Sequence, residues 1–347
     1  MGDEMTNRQW LLARHPQGAV TRDCFTLTTA PDRRGQGGAG QVLMQWELML
    51  CAPTIRNWIS GATDSYHPVI RVGDVVLAPA VGRIIESHDP EFPLGMRLLG
   101  AASWQDQQWI DPKAGYRVIP AKISSQDAMG VLGINAITAW CGLVHIGQPK
   151  PGEVLLVSGA AGSVGSVVAQ IGRILSCKVI GIAGGADKLR WLREDCGIEH
   201  LIDYKSEPVA ERLDVLAPEG IDIYFDNVGG NILETAAART RQRGRIVLCG
   251  QISAYEGGGP IAAPPLDMMR LIYGGIRIEG YIVRHHAETI PLALADLADW
   301  NAKGLIAHRE DIRPGFDALP ETLALLFKGA NNGTLLARIS DANGNLV

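Results

Sequence analysis

The stretch Val154-Leu-Leu-Val-Ser-Gly-Ala-Ala-Gly-Ser-Val-Gly165 admits few folds. An apolar run of strand length enters a glycine turn and passes at once into a helical pattern, Val164–Leu175. Gly159 and Gly162 let backbone approach a bound anion with no side chain in the way. Gly165 lets the helix pack tightly on the strand. The amides and dipole at the helix start then face a pyrophosphate. A glycine turn alone is weak evidence, and one that serves only packing is the plain alternative. This turn lies inside a βαβ pattern, the context a dinucleotide fingerprint requires.

The alternation continues. Strand Lys178–Ala183 precedes helix Asp187–Cys196, and strand His200–Asp203 precedes helix Pro208–Leu216. Strand Ile221–Asp226 leads to helix Ile232–Arg241 and strand Arg245–Gly250, then come strand Arg277–Val283 and helix Ala287–Ala302. Such β-α repetition predicts a parallel sheet covered on both faces, and the nearly unbroken apolar strands agree. The first third reads differently. Short apolar runs at Gln41–Cys51, Arg71–Ala78, Arg83–Ser87, Met96–Ala101 and Tyr116–Ile119 are separated by Gly and Pro, which predicts a barrel-like all-β unit. Pro31–Gly40 is a loop, and the tail gives helix Phe316–Gly329 and strand Thr334–Ile339.

The end of the second strand bears on which dinucleotide is held. An NAD site usually places Asp or Glu there for the ribose 2′-hydroxyl. Here Gly184-Gly185-Ala186 follows, Asp187 reads as a helix cap, and Lys188 stands just beyond. A 2′-phosphate is attracted by that cation, so NADPH is the expected cofactor. The alternative for Lys188 is a solvated helix residue.

Composition excludes more than it assigns. A net charge of −5 gives no basic stripe for nucleic acid. No apolar run has the length of a membrane span, and Met1–Trp10 lacks the apolar core of a signal peptide. The six cysteines have no C-x-x-C spacing, so a reducing cytoplasm is expected. No metal is expected either. Cys51 has no His or Cys at ligand spacing, and in a strand His285 and His286 point to opposite faces.

Several separated motifs now stand in order: Ala160-Ala-Gly-Ser-Val-Gly-Ser-Val-Val-Ala-Gln-Ile171, Asp203-Tyr-Lys205, Tyr224-Phe-Asp-Asn-Val-Gly-Gly230 and Cys249-Gly-Gln-Ile-Ser-Ala-Tyr255. Together they resemble the zinc-independent prostaglandin reductase family of medium-chain dehydrogenase/reductases, which includes leukotriene B4 12-hydroxydehydrogenases, alkenal double-bond reductases and curcumin-reductase-like enzymes. The match is strong over about Gly130–Ile339. It is looser before, through Val81-Gly-Arg-Ile-Ile-Glu-Ser87, Gly95 and Trp104-Gln105.

The resemblance implies an α/β protein, a Rossmann doubly wound parallel sheet plus a GroES-like β-barrel domain. The GroES-like domain would comprise residues 1–128 with 308–347, and the Rossmann domain 129–307. It implies NADPH-dependent reduction of the C=C bond of enones and enals, and a homodimer. By position, Gly162, Ser163, Val164, Gly165 and Ser166 would hold the pyrophosphate, and Lys188 and Tyr204 the 2′-phosphate. Asn227 would contact the cofactor. Cys249, Gly250, Ile252, Ser253 and Tyr255, with Tyr281, Ile282 and Val283, would line the nicotinamide end, and Asn331 would reach back from the tail.

Two departures stand out. The family's D-P-Y-M-R reads Ala52-Pro-Thr-Ile-Arg56, so a substrate-site phenol is lost, and its N-L-G-K reads Asn331-Asn-Gly-Thr334. Tyr255 is the first candidate donor to the enolate oxygen, and Tyr281 the second, more readily a wall than an acid. Trp104 and Trp140 are candidate pocket walls or core residues. A quinone reductase of the same fold and a non-catalytic NADPH-binding or redox-sensing protein remain the alternatives.

Overall fold

The computed structural model describes residues 6–62, 69–254, 266–341 and 344–346. The chain divides into two compact units, one of Met1–Met129 with Glu310–Val347, the other of Gly130–Arg309. Elements are numbered along the whole chain.

The first unit is β, antiparallel except for one parallel pair formed by two strands from the chain's end. Strands β1 (Thr6–Leu12) and β2 (Phe25–Pro31) form a hairpin. A seven-stranded sheet is built on β3 (Val42–Leu50), β4 (Leu77–Ser87), β5 (Arg97–Ser103), β6 (Gln107–Ile110) and β7 (Arg117–Ile119). Its path is β7-β5-β4-β3, with β6 also on β3, and it continues through two strands from the chain's end, β15 (Thr334–Arg338) and β14 (Glu310–Pro314). All nine residues of β3 are buried. Val42, Met44 and Trp46 enter one core and Leu48 and Leu50 another, the change of face following register shifts at Leu43/Met44 and Trp46/Leu48.

Two predicted strands in this unit are corrected. Arg71–Asp74 is a turn, closed by hydrogen bonds between Arg71 and Asp74, with Gly73 at φ 94°. The runs Leu77–Ala78 and Arg83–Ser87 belong to one strand, β4. Pro79 is tolerated inside it because at that position β4 pairs only with β5. Trp104 is fully buried beside Phe25, ring centroids 5.4 Å apart, so it is a core residue.

The second unit carries a six-stranded sheet, all of its pairs parallel: β8 (Val154–Val157), β9 (Lys178–Ala183), β10 (His200–Asp203), β11 (Ile221–Asp226), β12 (Thr240–Leu248) and β13 (Arg277–Gly280). The order is β10-β9-β8-β11-β12-β13, the doubly wound arrangement. Connecting helices include α4 (Gly165–Ile174), α5 (Ala186–Glu194), α7 (Gly230–Ala237), α8 (Met268–Gly274) and α9 (Ile290–Ala302). An earlier helix, α3 (Ile134–Trp140), runs on as a π-helical turn, Cys141–Gly147. Trp140 is buried and donates to Asp296 of α9 at 2.8 Å.

Strand β12 starts earlier than the sequence pattern suggests. Its register on β11 passes from Ile221↔Thr240 to Ile223↔Arg245, so Arg241–Gly244 bulge, with Arg243 at φ 59°. Arg245 then pairs with Glu153 at 2.8 and 2.6 Å, both side chains 15% exposed. No helix among the described residues is long and apolar enough to cross a membrane.

Candidate functional site

The strand order reverses at β8 and β11, so the crevice beyond their carboxyl ends is where a doubly wound sheet takes its ligand. The predicted residues of this unit that can be described all lie on turns after its strands or at the helix starts they feed.

The first turn is built around Gly159, at φ 58°. Its carbonyl accepts from the Gly162 amide at 2.9 Å, and the Ala160 amide donates to Ile182 of β9. A Cβ on Gly165 would lie 2.3 Å from the Gly159 oxygen, and one on Gly162 would lie 3.2 Å from it. Helix α4 therefore begins in direct contact with the turn. Val164 is its N-cap, its first turn holds no acid, and Ser166 is buried. Ser163 Oγ accepts from Asn135 Nδ2 of α3 at 2.9 Å, a brace with no sequence signal.

The second strand ends without an acid, as read. Gly185, at φ 98°, is the cap of α5, not Asp187, which lies within the helix and pairs with Arg190. Glycine holds the cap because the chain needs positive φ there. A Cβ on Gly184 would meet the Tyr204 ring at 2.6 Å and Lys205 Cε at 3.0 Å, so both cover that glycine. Desolvation, then the neighbouring Lys205 charge, pull Lys188 below the ordinary lysine range. Lys205 thus joins Lys188 and Tyr204. The Asp203-Tyr-Lys205 motif contained it, but only Tyr204 was assigned a role. Asp203 itself accepts from the Gly185 and Lys205 amides at 3.2 and 3.0 Å.

The third turn rests on a buried carboxylate that sequence reasoning passed over. Asp226 Oδ1 accepts from Ser158 Oγ (2.9 Å), the Tyr224 hydroxyl (2.6 Å) and the amides of Val228 (3.0 Å) and Gly229 (2.9 Å). Its carbonyl accepts from the Cys249 and Gly250 amides. Asn227 donates from Nδ2 to the Ser158 carbonyl at 2.7 Å, so its amide is partly engaged in holding the glycine turn. Ile252 and Ser253 donate from their amides to the Asn227 and Val228 carbonyls. The turns after β8, β11 and β12 are therefore cross-braced.

Beyond β13, Tyr281 donates to the Thr138 carbonyl at 2.7 Å and packs against Gly142, where a Cβ would lie 2.3 Å from its hydroxyl. Burial, then the Cys249 thiol, hold its phenol well above the ordinary range. Burial pushes Cys249 up to about 11. Ile282 is extended and Val283 is buried. Tyr255 lies outside the described residues. Asn331 belongs to the first unit, where its Nδ2 donates to the Gly333 carbonyl. Thr54, at the lost phenol position, opens a short helix whose Arg56 donates to the carbonyls of Pro16 and Gly18.

A phosphate-bearing dinucleotide fits this set: a close-packed glycine cradle, a helix start free of acids and paired lysines where the second strand ends. Residues 8–118 match the family described as N-terminal domain of oxidoreductase, and residues 163–299 the family described as zinc-binding dehydrogenase. The chain is 34% identical to the NADPH-dependent curcumin reductase of Escherichia coli (strain K12), over 96% of this chain and 97% of that one. It is 32% identical to prostaglandin reductase 1 of Bos taurus, over 95% and 98%. The crystal structure of CurA in complex with NADPH from Vibrio vulnificus superposes with a TM-score of 0.90 at 32% identity, over 96% of this chain and 99% of that one. The chain belongs to the medium-chain dehydrogenase/reductase family, in its prostaglandin reductase group.

The zinc in the second family's description needs thiolate and imidazole ligands with an open position. Cys51 is buried, which pushes its thiol up to about 12. Among the described residues, no cluster of metal-ligand side chains includes it. These residues do not fit a catalytic zinc of that kind.

Proposed function

We propose that the chain is an NADPH-dependent reductase of the C=C bond in α,β-unsaturated ketones and aldehydes. The observation that carries the cofactor preference is the Lys188–Lys205 pair beside Tyr204, at a strand end with no acid. Lys188 is partly desolvated and faces the like charge of Lys205, a repulsion that a 2′-phosphate bound beside them relieves. The substrate class is supported by the relatives named for curcumin and prostaglandin, since curcumin is a conjugated ketone.

The turn Gly162–Ser166 holds the pyrophosphate, and Cys249–Ser253 with Tyr281–Val283 wall the nicotinamide. When bound, the dihydronicotinamide supplies a hydride for the β-carbon of the alkene. The chain's own share is orientation and electrostatics, because charge gathers on the carbonyl oxygen and needs an aimed donor. We assign that donor to Tyr255 from the sequence. Tyr281 gives its proton to Thr138, so it serves as a wall.

Steady-state rates with NADPH and NADH against enals, enones and quinones test this reading. Saturated ketone products with NADPH support it. Turnover confined to quinones, or tight NADPH binding with no turnover, overturns it. Tyr255→Phe lowers kcat by about 10²-fold, the usual loss of one oxyanion donor, with NADPH affinity unchanged. Wild-type turnover in that variant removes Tyr255 from the mechanism.

We also propose a homodimer. Helix α8 exposes Met268, Ile272 and Tyr273 and leads into β13, the edge strand of the sheet among the described residues. Light scattering near twice 37.3 kDa is expected. A monomer at working concentration overturns it.

A further inference from the structure

We infer that His145, His286 and Glu288, none of them assigned to the nucleotide, form a surface site for a divalent transition-metal ion of zinc-like character. One ligand atom from each lies within 4.8 Å of the others. The two imidazole centroids are 5.0 Å apart at 62°.

The cluster arises from two local irregularities. His145 sits on the π-helical turn Cys141–Gly147, and His286 breaks the helical segment Val283–Thr289 with φ −125° and ψ 36°. The His286 ring meets His145 at this kink, which strand geometry for residues 285 and 286 does not anticipate. None of the three side chains has a hydrogen bond or ion pair among the described residues. Three metal-ligand side chains therefore converge with no hydrogen bond or ion pair among them, an arrangement that a shared cation can use.

The donor set selects the ion. Two imidazoles and one carboxylate suit zinc, cobalt or nickel and disfavour calcium and magnesium, which take all-oxygen shells. Zinc bonds of about 2.0–2.1 Å require ligand atoms about 3.3 Å apart in a tetrahedron. The side chains of His145 and Glu288 are exposed and can close that gap by changing rotamer. Three protein ligands leave a fourth position for water. Cys141, one turn before His145, stays outside the set, its thiol raised by burial and bonded to Thr289.

The test uses the full chain without a histidine tag, stripped with chelator, and titrated with ZnCl2 by calorimetry and with CoCl2 by visible absorption. One zinc per chain is expected, with tetrahedral or five-coordinate cobalt bands. His145→Ala and His286→Ala should each weaken binding by at least about tenfold, while His285→Ala should not. Circular dichroism of the metal-free variants should match wild type. Absence of saturable binding below about 1 mM, an equal loss in His285→Ala, or a thiolate-to-cobalt band overturns the site.

Discussion

Replacing Gly165 by Ala tests how closely helix and turn must approach. The new Cβ would lie 2.3 Å from the Gly159 oxygen, 2.9 Å from its carbon and 3.0 Å from Ala160 Cα. Ordinary contact begins near 3.4 Å, so the helix start must move by about 1 Å against backbone that cannot rotate away. Overpacking of this severity costs about 3 kcal/mol, and the better helix propensity of Ala returns about 1 kcal/mol. A net loss of about 2 kcal/mol lowers Tm by about 4–8 °C for a unit of this size. The same shift misplaces amides proposed to meet the pyrophosphate, and one lost charge-assisted hydrogen bond weakens NADPH by about 10- to 150-fold. Gly162→Ala is the control. Its Cβ would lie 3.2 Å from the same oxygen, so it should keep Tm and lose affinity alone. Thermal melts and fluorescence titration with NADPH read both quantities. Wild-type Tm and affinity in Gly165→Ala would refute the packing argument.

The remaining predictions are separable. Lys188→Ala should cut the NADPH-over-NADH preference by at least about tenfold, read as the ratio of kcat/KM values; an unchanged ratio removes the lysine pair from cofactor choice. Tyr281→Phe should cost about 1 kcal/mol of stability and keep most turnover; loss of turnover at unchanged NADPH affinity would make Tyr281 catalytic. Burial alone would raise Glu153, but its hydrogen bonds from Arg245 and the Lys150 amide bring it below the ordinary value of 4.5. Its contribution to stability is therefore full above that value and fades as pH falls through the lower folded one. Glu153→Gln should flatten this part of the acid limb in pH-dependent melts, and an unaltered limb would show that the pair is not responsible.

The Rossmann strands were readable because burial on both faces leaves long apolar runs, and β9, β10 and β11 have their predicted limits. The glycine turn was readable because only glycine permits the contact between Gly159 and Gly165. Features set by distant partners were not. The β1–β2 hairpin alternates weakly, and the bulge at Arg241–Gly244 follows from pairing with β11. Asp226 stands in the sequence only as the last residue of a strand, since its value lies in donors that only folding assembles. Lys205 was visible as a residue but not as a neighbour of Lys188. The His145–His286 pairing needs a π-turn and a kink, neither of which has a residue code.

One Asp226 carboxylate oxygen gathers Ser158, Tyr224, Val228 and Gly229, and the residue's carbonyl accepts from Cys249 and Gly250, so the proposed pyrophosphate cradle is anchored through β8, β11 and β12. The Lys188, Tyr204 and Lys205 arm hangs instead on β9 and β10. The two proposed halves of dinucleotide recognition thus rest on largely different strands and meet at β9, where the Ala160 amide donates to Ile182. On the proposed assignment, a ribose-reading acid can replace the lysine arm while the carboxylate that braces the glycine turn keeps all four of its donors.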